Sequence, residues 1–113
     1  MSPDFLDLLR AFSVANARFL VVGAYAVGVH GRPRATKDLD VWVEPGRIDV
    51  LTQISGIAFD EAWPGRVEAD FGDGVRCSVI GLDALLLNKR ASARPQDLAD
   101  VDALERLTKA KKR

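Results

Sequence analysis

The chain has 113 residues, its 16 Lys and Arg are balanced by 16 Asp and Glu, and 48% of its residues are hydrophobic. A chain of this size builds one core rather than two, and a zero formal charge excludes a surface given over wholly to nucleic acid. Cys77 is the only cysteine, which excludes an internal disulfide and predicts a reducing, cytoplasmic setting. Asp4 and Asp7 interrupt the only early apolar stretch, so a signal peptide, a membrane span and a membrane partner are not expected.

Ser2-Pro3-Asp4 followed by Phe5, Leu6, Leu8, Leu9, Phe12 and Val14 predicts a capped amphipathic helix ending near Ala17. Phe19 to Val22 is wholly apolar, as a buried strand is, and Gly23 breaks it. A short helix follows from Ala24 to His30, closed by Gly31 and Pro33, and a basic loop from Arg32 to Lys37 leads into a strand from Asp38 to Glu44. Pro45-Gly46 predicts a tight turn into a strand from Arg47 to Leu51, whereas 52–65 has no clear period and reads as a loop. Arg66 to Phe71 and Val75 to Ile80 flank Gly72-Asp73-Gly74 as a second hairpin. Leu82, Leu85 and Leu86 mark a helix over Gly81 to Ala91; Leu98, Val101, Leu104 and Leu107 mark another over Pro95 to Ala110. The expected fold is α/β (α+β): a single domain over 1–113, a small mixed sheet with flanking helices, in the order α-β-α-β-β-β-β-α-α.

Asp38 and Asp40 carry the chemistry. Two apart in a strand, they point to one face with their side chains about 6–7 Å apart. If the next turn centres on Pro45-Gly46, Trp42 faces Asp49, which places Asp49 on that same face, diagonal to Asp40 and roughly 5–8 Å away. Three acids converging on one sheet face repel one another, and a hard divalent cation offsets that repulsion. Upstream, a strand ending at Gly23 and leading straight into a helix presents backbone N–H groups suited to phosphate.

The apolar strand, Gly23-Ala24-Tyr25-Ala26, and His30-Gly31-Arg32-Pro33-Arg34-Ala35-Thr36-Lys37-Asp38-Leu39-Asp40 together resemble the polymerase-β-like nucleotidyltransferase superfamily. The likeness is to its small bacterial branch that includes the nucleotidyltransferase components of toxin–antitoxin systems. It extends through Ile80-Gly81-Leu82-Asp83-Ala84-Leu85-Leu86-Leu87-Asn88-Lys89-Arg90 and Arg94-Pro95-Gln96-Asp97-Leu98-Ala99-Asp100. The resemblance implies a nucleotidyltransferase-type sheet and transfer of a nucleoside monophosphate from an NTP to an RNA, protein or small-molecule acceptor, with release of pyrophosphate. It further implies Asp38, Asp40 and Asp49 as catalytic residues and ligands of Mg²⁺, or of Mn²⁺ in its place. Gly23 and Ala24 would hold phosphate through their backbone; Lys89, with Arg32, Arg34 or Arg94, would neutralise the leaving group. A cognate toxin or antitoxin and a second copy of the chain are the expected protein partners. Two features depart from the family pattern: Gly23-Ala24 stands where Gly-Gly or Gly-Ser is usual, and only eight residues separate Asp40 from Asp49.

Plainer roles compete at several positions. His30 can pack or hydrogen-bond at a helix end, Trp42 can fill the core or stack on a base, and Lys89 can snorkel from its helix. Asp97 and Asp100 suit the first turns of a helix through its dipole, and Cys77 suits an ordinary strand position. The alternative function is a catalytically silent nucleotidyltransferase-fold binding module, or an antitoxin-like subunit acting through a nucleotide or a partner protein.

Overall fold

The computed structural model describes residues 3–32, 39–44, 54 and 56–111, which form a mixed α+β fold with a four-stranded mixed sheet and flanking helices. Four consecutive apolar residues make β1 (Phe19–Val22), and all four are buried, as a central strand covered on both faces requires. On one side β1 pairs antiparallel with β2 (Asp40–Val43), with Leu20 opposite Trp42 and Val22 opposite Asp40. On the other it runs parallel to β4 (Arg76–Val79), which pairs antiparallel with β3 (Val67–Asp70), so the order across the sheet is β2-β1-β4-β3. The β3–β4 hairpin turns where expected: Gly72 and Gly74 take positive φ angles of 114° and 75°, and the Gly72 N–H donates to the Asp70 carboxylate at 2.8 Å.

The two faces of the sheet are covered differently. Phe19, Val21, Val41 and Val43 share one face by the β1–β2 register, and Phe12 of α1 (Pro3–Val14) meets Phe19 there with ring centroids 5.3 Å apart. Leu20, Val22, Asp40 and Trp42 share the other, where Phe59 meets Trp42 edge-on at 5.1 Å. Trp42 is therefore a core residue, 1% exposed. Phe59 belongs to α3 (Phe59–Ala62), which a 3-10 turn, Trp63–Gly65, continues; the expectation of a loop over 52–65 is corrected at its C-terminal end. A four-residue helix is too short to display a period, and it is fixed instead by burial of Phe59 and Ala62 and by Glu61 accepting from the Ala58 N–H at 3.2 Å.

After α2 (Gly23–Val29), His30 donates from Nε2 to the Ile80 carbonyl at 2.7 Å, the helix-end role open to it from sequence. Cys77 sits buried in β4. α4 (Leu82–Ser92) and α5 (Pro95–Lys111) pack together across a two-residue connection in which Ala93 takes a left-handed φ of 53°. On α5 the predicted apolar stripe is only half correct, because Val101 and Leu104 are buried but Leu98 and Leu107 are 48% and 37% exposed. Asp97 and Asp100 occupy the buried stripe with them, which gives these acids a role that a helix dipole does not explain.

Among the described elements the order is α-β-α-β-α-β-β-α-α. The predicted strand Arg47–Leu51, its hairpin, Arg34, Asp38 and Asp49 lie outside the described residues. No helix among the described residues is long and apolar enough to cross a membrane.

Candidate functional site

Asp40 opens β2 directly opposite Val22, the last residue of β1, and it is exposed while the rest of its strand is buried. The next residue along β1 is Gly23, whose φ of 69° turns the chain from strand into α2. A Cβ built on Gly23 would collide with Asp40 Oδ2, so the carboxylate rests against bare backbone. Both the positive φ and this contact exclude a side chain. Gly23→Ala is expected to cost about 1–2 kcal/mol through the left-handed conformation alone, and to push the Asp40 carboxylate off its position; urea unfolding with a parallel structure determination checks both effects.

Asp40 accepts no hydrogen bond and makes no ion pair among the described residues. It faces a cavity of about 220 Å³ bounded by Val22, Gly23 and Ile54 on one side and by Asn88, Lys89, Ser92, Arg94 and Asp97 on the other. This volume falls below the ~300–1,000 Å³ of ordinary ligand pockets, so it suits phosphate groups and an ion better than a whole nucleotide.

The α4–α5 wall is an ion-pair network. Lys89 Nζ lies 3.1 Å from Asp97 Oδ1 and 3.2 Å from Asp100 Oδ2, with the lysine side chain only 6% exposed. Arg32 Nε reaches Asp100 Oδ1 at 3.2 Å, and Arg94 Nε donates to Asp97 Oδ2 at 2.8 Å. Burial works against the Asp97 charge, but hydrogen bonds from Arg94 and Lys89, together with their charges, outweigh it and hold the carboxyl below its ordinary range. The hydrogen bond and charge of Asp97, with a smaller pull from Asp40, keep the Arg94 guanidinium protonated beyond its ordinary range. Local sequence builds this corner: the left-handed Ala93 reverses the chain, Pro95 starts α5, and Asp97 accepts from the Arg94 backbone N–H at 3.3 Å, as an acid three residues into a helix does.

Of the residues singled out from sequence, Gly23, Asp40, Lys89 and Arg94 therefore line one cavity, and the half-buried Ala24 follows Gly23 in the first turn of α2. Lys89 does not snorkel; its ammonium is held between two buried carboxylates. No group of three His, Cys, Asp or Glu residues that could hold a metal ion occurs among the described residues. Asp40 nevertheless has the character a hard cation needs: an exposed carboxylate oxygen beside a cavity, with no competing partner among the described residues. The sequence pointed less clearly to Asp97 as the anchor of Arg94, although an acid two residues after Arg-Pro was its visible signal.

No protein-family model matches the chain, and a search of curated proteins finds no match either.

Proposed function

We propose that this protein is a metal-dependent nucleotidyltransferase that moves a nucleoside monophosphate from an NTP to an RNA, protein or small-molecule acceptor. The observation that carries this is the pairing of Asp40 with the bare backbone of Gly23 beside a cavity that the exposed Arg94 also lines. Asp40 would hold Mg²⁺ or Mn²⁺ together with Asp38 and Asp49, which lie outside the described residues. Such an ion supplies neutralising charge to phosphate oxygens. The cavity's size supports entry of the triphosphate end with the nucleoside outside it. In the reaction the acceptor hydroxyl oxygen bonds to the α-phosphorus, the bond to pyrophosphate breaks, and Asp49 takes the hydroxyl proton.

A nucleotide-binding module without transfer activity is favoured by one observation: Lys89, a candidate for balancing the leaving group, is already neutralised by Asp97 and Asp100. Incubating the protein with each α-labelled NTP and Mg²⁺, with and without EDTA, decides between them. Metal-dependent label transfer or pyrophosphate release is the expected result. Nucleotide binding with no transfer to RNA or protein acceptors would establish the silent module instead.

A further inference from the structure

We infer that Arg94 is the residue that grips the terminal phosphates of the ligand in this cavity, with Asp97 holding it in place; this rests on the nucleotidyltransferase reading of the site. Of the cations that sequence offers for this task, Arg34 lies outside the described residues, Lys89 is 6% exposed and held by two carboxylates, and Arg32 is not among the residues that line the cavity. Arg94 lines the cavity and differs from Lys89 in exposure. Its side chain is 77% exposed, and its strong contact to Asp97 uses Nε at 2.8 Å. Nη2 reaches Asp97 Oδ1 only at 3.4 Å, and Nη1 has no partner among the described residues.

A guanidinium anchored by one N–H and presenting the rest of its fork is suited to phosphate oxygens in a way that a point charge is not. The anchor itself is rigid, because Asp97 is 2% exposed and its Oδ1 is fixed by Lys89 Nζ. Arg94 and Asp40 line the same cavity, so a polyphosphate there meets both a cation and the carboxylate proposed to hold the metal.

Calorimetric titration with inorganic pyrophosphate and MgCl₂ tests this. Arg94→Gln is expected to weaken pyrophosphate binding roughly tenfold or more, with Arg94→Lys in between because an ammonium keeps the charge but lacks the planar fork that meets phosphate oxygens bidentately. Arg106→Gln, which removes an equally exposed charge paired only to Asp102 among the described residues, is the control and leaves affinity unchanged. A loss under threefold in Arg94→Gln, or an equal loss in Arg106→Gln, overturns the role of Arg94 and leaves the proposed activity standing. Wild-type protein that binds no pyrophosphate, with or without Mg²⁺, overturns both. The thermal midpoint, measured alongside, is expected to match wild type for Arg106→Gln and to fall modestly for Arg94→Gln, which takes a charge-assisted hydrogen bond from buried Asp97, so the titrations are run where every variant is folded.

Discussion

Asp40→Asn is expected to lower nucleotidyl transfer by about two or more powers of ten while leaving the protein folded. The magnitude follows from what a metal-holding carboxylate does. The charge stabilisation it organises at the phosphate is worth several kcal/mol, and each ~1.4 kcal/mol is a factor of ten in rate. The amide has nearly the shape of the carboxylate but lacks its charge, so it can still rest against Gly23. Stability should move by no more than about 0.5 kcal/mol, because Asp40 is exposed and has no hydrogen-bond or ion-pair partner among the described residues. An acid that merely solvates a strand end would give the opposite pattern, with unchanged transfer. Label transfer measured beside a thermal melt separates the two, and retention of more than about a third of wild-type activity removes Asp40 from the chemistry.

Some of this architecture was legible in sequence because it is written locally. Phe19 to Val22 is an unbroken apolar run, and it is a strand buried over its whole length. Two glycines around Asp73 mark the β3–β4 turn, and Pro95 marks the start of α5. What escaped depends on long-range placement. The four-residue α3 has no room for a period, and Phe59 is recognisable as core only once Trp42 is seen opposite it. Asp97 and Asp100 look like ordinary acids in the early turns of a helix until the left-handed backbone at Ala93, a conformation nothing in an alanine announces, folds α5 back onto Lys89. The site divides along the same line. Gly23 and Asp40 could each be marked from sequence, but their contact follows from the β1–β2 register, which the intervening residues do not encode.

Lys89→Met is expected to destabilise the protein by about 3–5 kcal/mol, since it removes one partner from a buried ion-pair network and leaves the carboxylates behind. Asp97 and Asp100 are 2% and 0% exposed, and the Lys89 ammonium contacts both of them. Arg32 and Arg94 remain as partners, but both reach in from the surface and are substantially solvated. A domain of this size is stable by only about 5–15 kcal/mol, so the variant should unfold at a markedly lower urea concentration. Neutralising the acids as well, in Lys89→Met with Asp97→Asn and Asp100→Asn, is expected to recover part of the loss, because the uncompensated charge and not the missing methylenes causes most of it. The pH dependence carries the same sign. Asp97 is held below its ordinary range in the folded protein, so its contribution is complete above the unfolded-state value of about 4 and disappears as pH falls through the lower folded value. The stability gap between wild type and Asp97→Asn should therefore be full at neutral pH and close in acid. A Lys89→Met variant that loses less than about 1 kcal/mol would mean that the two acids are satisfied without Lys89, and that its charge can serve the cavity it lines.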